Sequence, residues 1–391
     1  MEFGFTPEQR RFRLNVRRYV RGLVPTDFAG IEVGTEDPGE VAFLRRLERK
    51  LADKGWLVMH WPAEYGGGGK TAIESGIFSE EFAYTLAVYA NPIGVFTAGP
   101  IIMHYGTPEQ KARFLPGIAR SEHVYAEGYT EPEAGSDLAS LRTRAVRVGD
   151  SYIINGQKAF NTLAHNADLL WLAARTDPNA TKHRGISLFV VDMNTPGITV
   201  QRQPGIGGGS HDDLFMDNVR VPADRLIGEE NRGWYYITHG LYTTLSPIRD
   251  RSYAKRLFDD FVVWCQRSRW NGRALFDNPM ARHRLAEIAI DFEVWRLLGW
   301  RVVFKSQAGD EDTHYVSLAR LVGKEVGPRF AKAVRDIAGL TSVVHAGSPL
   351  APLSGRLEHL MLRQYSNHAG GTPEIHRNVI ALRGLGLPRP Q

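Results

Sequence analysis

The fold is decided by Tyr129-Thr130-Glu131-Pro132-Glu133-Ala134-Gly135-Ser136-Asp137, followed by Lys158-Ala159-Phe160-Asn161-Thr162. In the first stretch, the Gly135-Ser136 pair can turn successive backbone N–H groups and a hydroxyl toward a phosphate. In the second, Phe160 can cover one face of a flat ring, and the Thr162 hydroxyl can donate to the ring atom that accepts hydride. Together the two stretches, on either side of a predicted β-hairpin, predict a bound flavin.

The composition is that of a globular protein with more than one domain. The 391 residues are enough for two or three domains, and 43% hydrophobic with 23% charged residues is ordinary for such a protein. The net charge is +5, but acidic and basic residues are interspersed, which argues against nucleic-acid binding. The single cysteine, Cys265, excludes an intrachain disulfide and a cysteine-rich metal site.

Histidine spacing and hydropathy argue against two further classes of protein. No two of the 13 histidines lie three or four residues apart, so no helix can present a metal-binding pair of them on one face. No apolar run reaches the ~20 residues that a membrane span requires, and the N-terminus lacks the apolar segment of a signal peptide. We therefore expect no metal site, no membrane span and a cytoplasmic location.

The periodicity of apolar residues divides the chain into three predicted domains. Residues 1–125 are predicted to be helical, with Thr6 and Thr107 each placed as an N-cap before a proline. Residues 126–230 change to short β-type runs, and residues 231–391 return to long helical segments. The predicted order is therefore helix, sheet, helix.

Local signals refine these domains. The Asn155-Gly156 pair favours a tight hairpin turn, because both residues tolerate positive φ. Pro116 is expected to end the helix that starts at Thr107, and Pro328 to kink a later one. The expected strands and helices are 169–174, 186–191 and 214–221 for the sheet, and 252–267, 280–306 and 313–338 for the last domain.

Two glycine-rich stretches resemble phosphate-binding loops without completing the motif. Residues 66–71 end like such a loop, but Glu64 stands where its first glycine should be. Residues 205–210 lead into a predicted strand, whereas a dinucleotide fingerprint leads into a helix. Both stretches are interpreted as structural.

Eight pieces of the chain match motifs of one known family. They are Gly55-Trp56, Trp61–Gly67, Tyr105–Gln110, Tyr129–Asp137, Asn155–Lys158, Asp217–Pro222, Gly228–Trp234 and Gly370–Arg377. Over essentially its whole length the chain resembles the acyl-CoA dehydrogenase family. The resemblance implies a mainly α fold with an N-terminal helical domain, a central β-barrel-like domain and a C-terminal four-helix bundle. It also implies FAD bound at a dimer interface, commonly within a tetramer.

The resemblance assigns residues of the central domain to the FAD site. Tyr129 and Thr130 would contact the flavin ring, and Ser136 the FAD phosphates. Phe160 takes the place of the family's usual tryptophan, and Thr162 matches the hydroxyl near flavin N5.

The resemblance assigns further FAD contacts to the last domain. Thr372 and Glu374 align with residues that touch FAD beyond the ring. An arginine that reaches the neighbouring subunit's FAD usually precedes a Phe-Gly pair. Here that pair reads Asn271-Gly272, with Arg267 and Arg269 as the nearby candidates.

The chain departs from the family at the catalytic base. By resemblance, a glutamate removes the α-proton of an acyl thioester while hydride leaves the β-carbon for flavin N5. The two family positions of that glutamate are occupied here by Gly370 and Thr244, and Leu245 replaces the arginine that usually follows the second. None of these residues can act as a carboxylate base.

The missing base leaves three functions open. The first is an acyl-thioester dehydrogenase whose base has moved, for example to Asp250, Tyr242 or His368. The second is another flavin reaction on this scaffold, either decarboxylation-coupled oxidation or oxygen-dependent monooxygenation. The third is a non-catalytic subunit of a heteromeric acyl-CoA dehydrogenase.

The expected partners follow from the same resemblance. They are an acyl thioester of coenzyme A or an acyl carrier protein, and an electron acceptor or oxygen. A homodimer or tetramer, or a mixed oligomer, is expected.

Overall fold

The structure is a computed structural model that describes residues 4–25, 28–31, 35–206, 210–242, 246–310, 313–363 and 368–388. Its helices are α1 (Pro7–Arg21), α2 (Pro38–Ala52), α3 (Ala72–Ala83), α4 (Gly99–Tyr105), α5 (Pro108–Ala119), α6 (Gly233–Tyr242), α7 (Ser246–Arg267), α8 (Pro279–Gln307), α9 (Thr313–Ala338), α10 (Arg356–Arg363) and α11 (Pro373–Val379). Its strands are β1 (Tyr125–Gly128), β2 (Arg144–Val148), β3 (Ser151–Asn161), β4 (Leu169–Arg175), β5 (Ile186–Asp192), β6 (Ile198–Pro204), β7 (Ser210–Pro222), β8 (Leu226–Ile227), β9 (Arg269–Trp270) and β10 (Arg273–Ala274). The predicted order of helix, sheet, helix is confirmed.

The chain packs as two units, and the first is helical. It consists of residues 1–31, 71–87 and 245–391. Helices α7, α8 and α9 surround an apolar core, and α11 packs on α9. The core residues are Leu257, Phe258, Phe261, Cys265, Leu285, Ile288, Phe292, Trp295, Val326, Phe330, Ala333, Val334 and Leu357. The long helices were predicted from their 3.6-residue period, although α7 begins six residues earlier than expected.

The second unit contains the sheet. It consists of residues 32–70 and 88–244 and carries α2, α4, α5 and α6 beside strands β1 to β8. The strand order is β6-β7-β3-β2-β4-β5-β8, and β1 pairs in parallel along β4. Strands β4 and β5 are almost entirely buried, which explains why they read as continuous apolar runs. The boundaries of the three domains remain a prediction.

The predicted helix starts are confirmed by their capping geometry. Thr6 and Thr107 each accept a hydrogen bond from the backbone N–H three residues on, and a glutamine at that position bonds back to the cap. The expected end of α5 at Pro116 is wrong. Because Pro116 removes only one N–H near the end of the helix, the next turn still closes, with Arg120 N donating to Pro116 O at 3.0 Å. Helix α9 contains Pro328, and the kink expected there stays a prediction.

The predicted hairpin turn at Asn155-Gly156 is also wrong. Strands β2 and β3 do form an antiparallel hairpin, but its turn lies at Gly149-Asp150, where Gly149 has φ +65°. Gly156 lies inside β3 at a shift in its register with β7, and has φ +152°. A Cβ at this glycine would stand 2.5 Å from Thr143 Oγ1, so glycine is required for close approach of the chains and not for a turn.

Gly156→Ala tests this assignment against Gly149→Ala. Both glycines have positive φ, but a Cβ at Gly149 meets nothing within 4 Å. We expect Gly156→Ala to lower the free energy of unfolding by about 2–4 kcal/mol and Gly149→Ala by about 1 kcal/mol, since only the first adds a steric clash. Denaturant unfolding measures both. Equal losses would show that backbone strain alone sets the cost.

The glycine-rich stretch at residues 66–71 has a packing role. A Cβ at Gly67 would stand 2.1 Å from the backbone oxygen of Trp61, a side chain that is fully buried. Gly67 therefore allows the chain to pass directly over Trp61, in agreement with the structural interpretation. Three of the residues in the second stretch, 207–209, lie outside the described part of the chain.

Within the residues that the structure describes, no helix is long and apolar enough to cross a membrane.

Candidate cofactor site

The structure brings the two decisive stretches together in the second unit. The stretch from Tyr129 follows β1, and Phe160 lies at the end of β3. The backbone N–H of Ala159 donates to Thr130 O at 2.9 Å, which joins the stretches directly. The amino group of Lys158 donates to Tyr129 O at 3.1 Å and to Glu131 Oε1 at 2.8 Å.

A buried ion pair therefore fixes the geometry of the site. Lys158 is fully buried, and Glu131 also accepts from the backbone N–H groups of Arg142 (2.6 Å) and Thr143 (2.9 Å). Burial lowers the pKa of Lys158 to about 8, although Glu131 opposes the shift. Burial alone would raise the pKa of Glu131, but Lys158 and the N–H donors outweigh it and lower that pKa. The pair is consequently charged at neutral pH.

Tyr129 lies inside the site and not at its surface. Its side chain is buried, and its hydroxyl oxygen accepts from Trp171 Nε1 at 2.7 Å. Burial, reinforced by the charge of Glu127, raises the pKa of Tyr129 well above its ordinary value. The phenol therefore keeps its proton and can donate it.

Phe160 is held in an unusual conformation. Its φ is +56°, a region that non-glycine residues rarely adopt, and 64% of the residue is exposed. An exposed aromatic side chain on a strained backbone does not stabilise the fold, because the ring buries little apolar surface and the strain costs free energy. This combination indicates a surface kept for a ligand.

The chain after Phe160 is anchored to β7 through Asp212. The Asn161 side-chain amide donates to Asp212 O at 2.9 Å. The fully buried Asp212 carboxylate accepts from His165 N at 3.0 Å and lies 2.7 Å from His165 Nδ1. Thr162, which is half-buried, lies between these anchors.

The turn at Gly135-Ser136 is open to solvent. Both residues are exposed, and a Cβ at Gly135 would meet nothing within 4 Å. Within the described part of the chain their backbone N–H groups donate to no acceptor. Two adjacent N–H donors and the Ser136 hydroxyl are thus open to a ligand, and their binding of a phosphate stays a prediction.

The candidates in the first unit occupy two separate places. Arg267 ends α7 and Arg269 begins the β9–β10 hairpin, and both are exposed. Asn271 (φ +49°) and Gly272 (φ +78°) form the tip of this hairpin, so the pair matched to the family's Phe-Gly is a turn. The aromatic at this tip is Trp270, which is 72% exposed.

Thr372 and Glu374 begin α11. The Thr372 hydroxyl oxygen accepts from Ile375 N at 3.3 Å, so Thr372 is the N-cap of α11. Hydrogen bonds from the first-turn backbone and from Thr372 lower the pKa of the exposed Glu374. Helix capping accounts for both residues, and their contact with FAD stays a prediction.

Of the two family positions of the base, the structure describes only Gly370. Thr244 lies outside the described residues, as does Leu245. Gly370 has φ +70°, and a Cβ there would meet nothing within 4 Å. Lys324 Nζ donates to the carbonyl of the preceding residue, Ala369, at 2.9 Å.

Of the three alternative bases, Asp250 interacts electrostatically with Lys324, the residue hydrogen-bonded to Ala369. Asp250 lies in the first turns of α7, where its Oδ1 is 3.4 Å from Arg249 Nε. His368 is exposed in the turn before α11. Tyr242 ends α6 in the second unit, and its side chain lies outside the described part.

Sequence reasoning missed the groups that support the site. Lys158 and Glu131 stood in the quoted stretches but were not paired, and Trp171 and Asp212 were not singled out. The available signal was a lysine within a strand of the predicted hairpin, because a lysine that becomes buried there needs a carboxylate partner.

The residues of the second unit fit FAD. The free N–H donors at Gly135-Ser136 suit a pyrophosphate, and the exposed ring of Phe160 suits one face of an isoalloxazine. The buried pair of Lys158 and Glu131 fixes these two features relative to each other.

Comparison with known proteins decides the family. Family models described as the N-terminal, middle and C-terminal domains of acyl-CoA dehydrogenase match residues 6–122, 126–219 and 231–385. The acyl-CoA dehydrogenase FadE29 of Mycobacterium tuberculosis is 36% identical over 100% of this chain and 99% of its own length. The chain belongs to the acyl-CoA dehydrogenase family. It is therefore an FAD-dependent oxidoreductase that acts on acyl thioesters.

Other members of the family support the same assignment. The acyl-CoA dehydrogenase FadE26 of Mycobacterium tuberculosis is 33% identical over 100% of this chain and 99% of its own. Among solved structures, the Tcur3481-Tcur3483 steroid ACAD is 34% identical with a TM-score of 0.90, covering 100% of both chains. The ChsE4-ChsE5 complex from Mycobacterium tuberculosis is 32% identical with a TM-score of 0.87, again over 100% of both chains.

Proposed function

We propose that this acyl-CoA dehydrogenase binds FAD with the residues around Tyr129 and Phe160, and that it oxidises an acyl-CoA to its α,β-unsaturated product. The observation that carries the proposal is the pairing of Lys158 with Glu131. This pair holds a phosphate-binding turn and an exposed, strained aromatic on adjoining stretches of one unit.

The roles of the chain's own residues follow from their environments. FAD, when bound, supplies the hydride acceptor of the reaction. The exposed face of Phe160 packs on the ring, and the Thr162 hydroxyl orients it by donating a hydrogen bond. The Gly135-Ser136 turn binds the phosphates, with Ser136 adding its hydroxyl. FAD contacts of Thr372, Glu374, Arg267 and Arg269 stay predictions from the family resemblance.

A mixed assembly is the second part of the proposal. Both solved relatives named above bear the names of two proteins, Tcur3481-Tcur3483 and ChsE4-ChsE5. We propose a heteromer in which this chain is one of two related subunits, acting on a bulky, steroid-type acyl-CoA. The cytoplasmic location stays a prediction.

Anaerobic reduction of the bound flavin tests this function. The purified protein, alone and co-expressed with candidate homologous subunits, should show an absorbance band at ~450 nm that acyl-CoAs bleach. A band that no acyl-CoA bleaches, but that reduced flavin and oxygen turn over, would favour the oxygen-dependent alternative. A colourless chain that restores activity to a partner would favour the non-catalytic subunit.

Phe160→Gly separates strain from function at the cofactor site. Glycine adopts φ +56° without strain, so we expect the apoprotein to be as stable as the wild type or up to about 1 kcal/mol more stable. Loss of the aromatic face should weaken FAD binding about 10-fold, equivalent to about 1.4 kcal/mol. Thermal unfolding of the apoprotein and FAD titration measure the two effects. A less stable apoprotein with unchanged FAD affinity would show that Phe160 serves the fold.

A further inference from the structure

Glu127 lies on the same face of the sheet as Tyr129, one of the proposed flavin residues. It is the third residue of β1 and pairs in register with Trp171 of β4. Its neighbour Ala126 belongs to the apolar core, so Glu127 points to the opposite face, because side chains alternate along a strand. Trp171 donates to the Tyr129 hydroxyl, which places Glu127, Trp171 and Tyr129 on one face.

The Glu127 carboxyl is partly removed from water and has no polar partner among the described residues. It is half-buried, and it forms no hydrogen bond or ion pair with any residue that the structure describes. Burial raises its pKa to about 7, and the nearby group with which it interacts electrostatically is the Tyr129 phenol. A carboxyl with a shifted pKa and no salt-bridge partner is typical of functional sites.

Lys158 and His165, on the elements next to β1, form ion pairs or hydrogen bonds with other residues. On β3, Lys158 is bound to Glu131 and to the backbone of Tyr129. In the turn that follows β3, His165 is bound to Asp212. No cation in the described part of β1, β3 or β4 is therefore paired with Glu127.

Comparison with Glu48 shows that burial alone does not make such a site. Burial also raises the pKa of Glu48, which is fully buried in the same unit. Its oxygens, however, accept from Asn91 N at 3.0 Å and from Ser121 Oγ at 2.7 Å. Glu48 is a satisfied structural carboxyl, whereas Glu127 has its hydrogen-bonding capacity left for a ligand.

We propose that Glu127 is the carboxylate that accepts the α-proton of the acyl thioester in this chain, a role that rests on the proposed function. The Cα–H bond breaks, its proton goes to Glu127, and its electron pair forms the Cα–Cβ double bond. The hydride that leaves Cβ goes to the FAD that the family reaction employs. A group that is about half ionised at neutral pH suits this task, since a general base works best with a pKa near the working pH. The family base is replaced by Gly370 and Thr244, so the reaction requires a carboxylate from elsewhere.

Glu127→Gln tests the proposal, because it keeps the shape of the side chain and removes its basicity. Exchange of the substrate α-proton is measured by mass spectrometry as deuterium uptake from heavy water into an acyl-CoA, using FAD-loaded protein. We expect the variant to bind FAD as the wild type does and to exchange at least about 100-fold more slowly. In the wild type the rate should rise with pH up to about 7 and then level off. Glu122→Gln, at an exposed glutamate just before β1, is the matched control and should change neither property.

A second readout does not depend on turnover. In carboxyl-carbon NMR of the apoprotein, one glutamate resonance that is absent from Glu127→Gln should titrate near pH 7. Wild-type protein in which every glutamate resonance titrates below pH 5 would overturn the proposal, even if the variant fails to fold. Exchange in Glu127→Gln within about 3-fold of the wild type would overturn it too, while leaving the proposed function intact. Wild-type protein that binds FAD but neither exchanges nor oxidises any acyl-CoA, alone or with a partner, would instead remove the proposed function.

Discussion

Lys158→Met should lower the free energy of unfolding by about 3–5 kcal/mol, because it leaves the Glu131 carboxylate buried without its cation. The Glu131 side chain is only 8% exposed, so water cannot replace the lost ammonium group. The variant also deprives the Tyr129 carbonyl of its donor, and thereby releases the stretch that carries the phosphate-binding turn. We expect FAD affinity to fall about 100-fold, equivalent to about 2.7 kcal/mol.

The matched control for Lys158→Met is Lys182→Met. Lys182 pairs with Asp137 of the same stretch, but their side chains are 49% and 59% exposed. Such a surface pair contributes about 0–1 kcal/mol, so this control should stay close to the wild type in stability. Urea unfolding and FAD titration compare the two variants. Similar losses in both would contradict a special role for the buried pair.

A glutamate at Thr244 should rescue the Glu127→Gln variant. If Glu127 accepts the α-proton, its loss leaves the site without a base, and a carboxylate at a family position should restore the reaction. A general base contributes about 100- to 10,000-fold to a rate, so we expect Thr244→Glu to speed anaerobic flavin reduction at least about 100-fold in that background. Stopped-flow absorbance with an acyl-CoA measures the rate.

Thr244→Gln in the same background is the control, because it has the same length without the basicity. Equal rates for the two double variants would show that the family position does not face the substrate here. Gly370→Glu offers an independent route. A Cβ there meets nothing within 4 Å, but the φ of +70° should cost about 1–3 kcal/mol in stability.

The helix starts could be predicted from the sequence, because the interactions that determine them are local. Thr6 and Thr107 each combine a capping hydroxyl, a proline and a glutamine three residues on, and these interactions lie within one helical turn. The Asn155-Gly156 turn was wrong because tertiary packing overrides a local preference. Gly156 is needed where β3 passes Thr143, and no turn-forming rule reports such a contact.

The candidate site was predictable in its motifs but not in its support. The hydroxyls, the turn and the aromatic of the two stretches could be recognised from residue type and order. The ion pair that joins them spans 27 residues of sequence, and nothing in the sequence tells which carboxylate Lys158 will meet. The positive φ of Phe160 and the desolvation of Glu127 are likewise products of the assembled sheet.

Calorimetric titration of the apoprotein with FAD tests the central claim most directly, that this chain holds the cofactor through the stretches joined by Lys158 and Glu131. We predict saturable binding of FAD, by the chain alone or with a cognate subunit, that Lys158→Met weakens about 100-fold and Lys182→Met leaves unchanged. Folded protein that binds no FAD under either condition would contradict the account.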